Sequence, residues 1–395
     1  MNALVIGANE DSIESMRIAR KYGYTIYAID GNKDAKGLEV ADFSYVVDIN
    51  DLNKVFEITD KIKVDIVLPA PIGHCLTTVG AVNDRYSLPG VSEKSAKLCT
   101  DKYLFNEVLE KSSLRDAGTL LINKGDNVKK AVEGIDMLPV IVKPRTGSGS
   151  RGIEILNSKE NLQEWADNYA VADEDYTVER FITGDEYGID GAFVDGKFYL
   201  VLLRKKINTP PPYRQCVGYI SVKREEGQLF YDRCVDLMNE IGDSLGFINC
   251  VVHVDVIRAE GDTPFVIETS ARPSGHNLSN FFTPKATGIS LVEEFIKSAL
   301  GKPFSYVPTH IEKMMIRFFD LQEGIVEKVP DKKDIEKLDG ILDYNCNITV
   351  GDSLKTVTDG ASVMGRGYYL IKADTEKDLL DISSKVVNKF KINSR

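Results

Sequence analysis

Over the first hundred residues, short apolar runs end in glycine, acid or proline, and amphipathic stretches separate them. Ala3-Leu4-Val5-Ile6 closes on Gly7, residues 11–22 carry a helical pattern, 25–29 close on Asp30, and Ile66-Val67-Leu68 closes on Pro69. Strands alternating with helices in this way predict a doubly wound, Rossmann-like α/β domain. After Pro89-Gly90-Val91 the period lengthens, and 92–109 reads as one helix with Ser92 and Ser95 as caps. Further helices are predicted over 128–134 and 158–168, with strands over 139–143, 176–182, 187–193 and 198–203. Residues 251–257 alternate so that His253, Asp255 and Ile257 share a face, and a turn over 259–263 joins them to a second strand at 265–268. Past Gly301-Lys302-Pro303 come strand patterns at 314–319, 324–329 and 344–350, a lysine- and acid-rich helix, and a last helix over 376–389.

Composition narrows the function classes. A chain of 395 residues predicts two to three domains, and 43% hydrophobic residues suffice for a real core. The net charge of −11 argues against nucleic acid or an anionic membrane as the main partner, because both select basic surfaces. An anionic ligand must then be met by local lysines and arginines. Six scattered cysteines without a CxxC pair predict neither a zinc site nor a disulfide framework, which fits a reducing cytoplasm. No apolar run reaches the ~18 residues that would span a bilayer. A cytoplasmic enzyme or binding protein is expected.

The stretch Pro139-Val140-Ile141-Val142-Lys143-Pro144-Arg145-Thr146-Gly147-Ser148-Gly149-Ser150-Arg151-Gly152 carries the strongest chemical signal. Apolar residues bring Lys143 to a strand end, and the glycine-serine loop after it lets a polyphosphate approach backbone N–H groups. The lysine precedes the glycines, so this is not the P-loop of common kinases and GTPases. Gly7-Ala8-Asn9-Glu10-Asp11-Ser12, with Asp30 beyond, lacks two of the three glycines of a dinucleotide fingerprint. The first domain is therefore expected to shape a cleft rather than to hold a nicotinamide. In the 251–268 hairpin, Asp255 and Glu268 face one another across neighbouring strands, a donor pair suited to Mg²⁺. Arg204, Lys205 and Lys206 precede a proline run at 210–212 that suits a stiff loop over a cleft. His253 and His276 are each left between a site role and a packing role.

Five ordered features together resemble an ATP-grasp domain over about 94–301: Lys102 in an Asp-Lys pair, Lys143-Pro144 with its glycine loop, Glu179 with Glu186, Asp255 with Glu268, and Arg272. The resemblance implies three parts: a Rossmann-like pre-ATP-grasp domain (1–93), a two-part α+β ATP-grasp domain (94–304, lid at about 113–182) and a small carboxyl-terminal α+β domain (305–395). It implies Lys102 and Lys143 as phosphate ligands, and Gly147, Ser148, Gly149 and Ser150 as a closing loop. Glu179, with the backbone near Arg180 and Ile182, would pair with adenine, and Glu186 with ribose. Asp255, Glu268 and Ser270 would hold Mg²⁺, with Mn²⁺ as a substitute; Ser270 stands where the family usually has asparagine. Arg272 and Lys205 are the catalytic candidates. The activity implied is an ATP-dependent carboxylate–amine ligase passing through an acyl phosphate, similar to L-amino acid ligases and the biotin carboxylase and carbamoyl phosphate synthase group. A purine-biosynthesis-type ligase is the alternative within the family, and a non-catalytic nucleotide-binding regulator the alternative outside it. Small-molecule carboxylate and amine partners are expected, with homodimerisation common among such proteins.

Overall fold

Four parallel strands open the chain, in the order Phe43–Val46, Thr25–Asp30, Asn2–Ile6, Ile66–Val67. Side chains alternate across this sheet, so Ala3, Val5 and Ile26 fill one core while Leu4, Ile6 and Ile29 fill another on the opposite face. This is the doubly wound domain that the opening pattern predicts. The computed structural model describes residues 1–393 apart from 117, 148, 150, 170, 211, 212 and 359, and apart from the side chain of 361. Among the described residues no helix is long and apolar enough to cross a membrane, and all six cysteines are free thiols.

The helix expected over 92–109 is two helices, Glu93–Thr100 and Lys102–Lys111. Asp101 divides them because its extended backbone leaves the helical region and its carboxylate accepts a hydrogen bond from the Leu104 N–H at 3.1 Å. A short acid that caps orphan N–H groups competes well with a continuing helix. The break sets Lys102 at the first position of the second helix, where its N–H donates to the Arg145 carbonyl at 3.0 Å.

Two antiparallel sheets face each other across the middle of the molecule. The smaller, a lid, has the order Leu120–Ile122, Tyr176–Arg180, Val140–Pro144, Glu154–Leu156. Helix Lys159–Asn168 covers it with Trp165, whose ring meets Tyr176 edge-on at 5.7 Å. The larger sheet has eight strands and begins Thr263–Ser270, Cys250–Ala259, Asp185–Val194, Lys197–Asn208, Cys216–Val222. It continues through Met314–Phe318, Gly367–Lys372 and Ile341–Cys346, so the carboxyl-terminal strands extend the central sheet past residue 305. A three-stranded sheet, Ser353–Leu354, Gly324–Lys328 and Lys391–Asn393, closes the far end.

Two packing units fix the geometry. Helix Leu291–Ala299 buries Leu291, Val292, Phe295 and Ile296 in one core with Ala3 and Val5 of the first sheet and Ala192, Val201 and Val251 of the central sheet. That shared core holds the first-domain loops against the central sheet. On the other face, Phe193 sits between the rings of Phe198 and Phe247, 5.1 and 5.2 Å away, and Gly242 of helix Gln228–Leu245 passes over it with no room for a Cβ. Gly242→Ala is expected to destabilise by about 1–3 kcal/mol through overpacking, and Phe193→Ala by about 3–5 kcal/mol through a cavity. The double variant should be more stable than the two costs summed, because the smaller ring site accepts the new methyl. Additive losses in urea unfolding would mean that the helix does not rest on that ring.

Candidate active site

The glycine loop starts where Val140–Pro144 leaves the lid sheet. Gly147 and Gly149 have φ of 121° and 74°, and no atom lies within 4 Å of a Cβ built on either. Backbone conformation, not crowding, demands glycine there. Lys102 reaches over with its Nζ 3.2 Å from the Gly147 carbonyl. Burial pulls the Lys102 ammonium below its usual range, with Lys143 adding to the effect and Glu268 opposing it. Arg145 braces the base of the loop through Asp101 at 2.8 Å and Asp175 at 3.2 Å.

Lys143 is 6% exposed, and its ammonium lies 2.7 Å from the Glu179 carboxylate, itself 7% exposed. The two residues occupy adjacent antiparallel strands, with Ile141 opposite Glu179. Burial raises the Glu179 carboxyl, but the charge and hydrogen bond of Lys143 outweigh it and leave the group below its ordinary value. Glu179 therefore lies beside Lys143 rather than open to the cleft.

Across the gap, Asp255 and Glu268 are register partners, as the hairpin pattern predicts. His253 and Ser270 form the next pair on the same face. Lys206 closes on Asp255 at 2.6 Å. Burial again works against both charges, yet each holds the other ionised: the Asp255 carboxyl is lowered and the Lys206 ammonium raised. The second oxygen of Asp255 is buried without a hydrogen bond. Burial pushes His253 down to about 4, so it is neutral at neutral pH. Arg272 packs over Gly73, where a Cβ would lie 3.3 Å from its Nε, and that Nε is buried without a partner.

These groups line one cleft of about 450 Å³ between the lid, the central sheet and the first-domain loops. It brings together Lys102, Lys143, Gly147, Gly149, Glu186, Asp255, Glu268 and Arg272. Ser148 and Ser150 lie outside the described residues, as do Pro211 and Pro212 of the proline run. Arg180, Ile182 and Ser270 are not on the cleft wall. Lys205 is a correction. Alternation along Lys197–Asn208 turns it away to an ion pair with Glu376 at 3.0 Å, and Lys206 is the cation that enters the cleft. Sequence reading passed over the apolar wall of Ile141, Ile155, Phe181 and Ile267. It also passed over Arg214, which pairs with Glu186 at 3.1 Å.

Residues 136–280 match the ATP-grasp domain family. Over that stretch the chain is similar to ATP-grasp domains. Its ATP-grasp region is 145 residues long by that match, and the similarity to other proteins extends beyond it. The chain is 22% identical to dapdiamide A synthase of Enterobacter agglomerans over 67% of its own length and 65% of that protein's. It is 21% identical to the L-arginine-specific L-amino acid ligase of Bacillus subtilis over 85% of its length and 83% of that protein's. The crystal structure of L-amino acid ligase from Bacillus licheniformis superposes with a TM-score of 0.81 at 16% identity, covering 100% of this chain and 98% of that one. The fold of that ligase thus spans the whole chain, first sheet and carboxyl-terminal strands included.

The buried Lys143–Glu179 pair yields a prediction for the ATP-grasp lid. Lys143→Met strands a carboxylate in the interior and is expected to cost about 3–5 kcal/mol, most of which Glu179→Gln in the same chain should restore. Because the Glu179 carboxyl is held below its ordinary value, the contribution of the pair is present above ~pH 4.3 and is lost as pH falls through the lowered value. Denaturant titrations at neutral and acid pH check both statements. A Lys143→Met protein as stable as the wild type would show that the pair does not form.

Proposed function

We propose that the protein is an ATP-dependent carbon–nitrogen ligase that activates a carboxylate as an acyl phosphate and joins it to an amine. The observation that carries this reading is the meeting of two lysines, a glycine loop, two cross-strand carboxylates and Arg272 around one cleft. Lys102 and Lys143 meet the phosphates of ATP as compact cations, and the loop at Gly147 and Gly149 offers backbone N–H groups to them. Adenine lies against Ile141, Ile155, Phe181 and Ile267, with its edge toward the backbone at Arg180 and Ile182, and Glu186 accepts from the ribose hydroxyls. The buried ion pair with Glu179 fixes Lys143 in place before nucleotide arrives.

Asp255 and Glu268 fit a divalent cation, since Mg²⁺ commonly takes one or two carboxylates plus phosphate oxygens and water, and one Asp255 oxygen is free to ligate. Bound there, Mg²⁺ or Mn²⁺ would offset phosphate charge. Ser270, opposite His253, is a weaker oxygen donor in reach of the same face. Lys206, held by Asp255, is placed to meet the γ-phosphate, and Arg272 to hold the reacting carboxylate by its fork of donors. A carboxylate oxygen attacks the γ-phosphorus and the bond to ADP breaks. The amine then attacks the acyl carbon, and inorganic phosphate leaves with the bonding electron pair. Positioning and fixed charge carry both steps, with no covalent protein nucleophile. The similarity to amino acid ligases supports amino acids or dipeptides as the substrates.

The decisive experiment follows phosphate release from Mg·ATP over a panel of amino acids and other carboxylates, singly and in pairs, with product masses. Release that needs a carboxylate and an amine, together with an amide mass, is expected. ATP binding with no productive pair would favour the regulatory reading that Ser270 invites. Glu268→Ala and Lys206→Met should each lower turnover by about 100-fold or more, whereas Lys205→Met should stay within about twofold of wild type. A reversed order for the two lysines would sink the assignment of Lys206.

A further inference from the structure

Where the loop after strand Thr263–Ser270 closes the cleft, three elements far apart in sequence converge. A Cβ on Gly360, at the start of helix Gly360–Met364, would stand 3.8 Å from His276 Cε1 and 3.9 Å from Gln215 Nε2. Gln215 is 4% exposed. Its Nε2 donates to the Cys216 carbonyl at 3.1 Å, which fixes the amide, because the opposite orientation would set two carbonyl oxygens together. Its Oε1 is left buried without a donor, and so is the hydroxyl of Ser274, which is 1% exposed in the same cleft. A buried acceptor without a donor is costly unless a ligand completes it.

His276 supplies a second acceptor. It and Asn277 hold left-handed backbone, with φ of 60° and 58°, and its ring rests edge-on against Phe318 at 6.2 Å. The imidazole has no hydrogen bond among the described residues. Burial holds it below its usual pKa, Arg272, Lys206 and Arg204 adding to the effect and Asp255 opposing it. One ring nitrogen is therefore free to accept at neutral pH. Beyond Phe318 lies a second cavity of about 540 Å³ between the first domain and the carboxyl-terminal strands. Asp11 lines both cavities, and Glu10 lines the second together with Glu14, which pairs with Arg17 of the same wall at 3.6 Å.

On the ligase reading above, we infer that the amine co-substrate, a primary aliphatic amine, docks between Gln215 and His276 and that His276 accepts its proton. The amine reaches this point through the second cavity. The ammonium gives one proton to solvent as it docks; one remaining N–H donates to Gln215 Oε1, and the freed lone pair forms the C–N bond as the C–O bond to phosphate breaks. The nitrogen becomes acidic as it bonds, and its proton passes to the imidazole and from there to solvent.

The test separates the two halves of the reaction. Hydroxylamine is unprotonated at neutral pH and traps an acyl phosphate without needing a base. With Mg·ATP and a carboxylate that drives phosphate release, His276→Asn is expected to form hydroxamate at the wild-type rate and to lose about 10²–10⁴-fold in amide formation. Asparagine is chosen because it tolerates the left-handed backbone. In the wild type, amide formation should fall as pH drops through the lowered histidine pKa, and that acid limb should be absent from His276→Asn. Equal losses in both products, or none in either, would overturn the assignment. Gln215→Met gives a second arm, with the amine KM up about tenfold and hydroxamate formation unchanged; an unchanged KM removes the docking role. If the wild type forms neither product with any carboxylate, the ligase reading falls and takes this assignment with it.

Discussion

An ammonium or guanidinium group taken out of water needs an opposing charge, and the cleft is organised by that requirement. Lys143 has Glu179, Lys206 has Asp255, and the fully buried Arg204 has Asp190 at 2.8 Å. The first and third pairs join neighbouring strands and the second spans the strand Asp185–Val194 between its two, so the charges are positioned by the sheets rather than by loops. In a chain of net charge −11, this local pairing is what sustains a cationic surface for an anionic nucleotide. The acids also limit the freedom of the cations: a paired lysine has few rotamers left to lose when ligand binds, so less entropy opposes binding.

The legible parts of the site were those encoded within a few residues. The Lys143 strand and its glycines are contiguous, and the Asp255–Glu268 pairing follows from a hairpin whose two apolar arms are both visible. The doubly wound opening was legible for the same reason, because each apolar run has its own terminator. Lys205 and Lys206 were not separable. The run at 198–203 is buried on both faces, so it gives no parity, and the register shift between Leu200 and Leu202 removes what a count along the strand could supply. The Lys143–Glu179 contact needs the pairing of two strands 36 residues apart in the chain. Gln215, His276 and Gly360 meet only in three dimensions, and no short-range pattern marks them.

The helix break at Asp101 shows how local chemistry sets distant geometry. Amphipathic spacing alone favours one long helix over 92–109, yet a carboxylate that caps the Leu104 N–H ends the first helix and starts the second. Lys102 then stands at a helix start, beside the Arg145 carbonyl and within reach of the glycine loop. Lys102 thereby joins the cleft wall.

The central sheet is shared between the ATP-grasp strands and the carboxyl-terminal segment, and this has a consequence during synthesis. Strand Cys216–Val222 pairs on one side with Lys197–Asn208 and on the other with Met314–Phe318. On the ribosome, about ninety residues must follow this strand before its second partner emerges, and until then the strand carries an open row of N–H and C=O groups. That edge is therefore closed late in translation, and a nascent chain halted near residue 305 presents it to its neighbours.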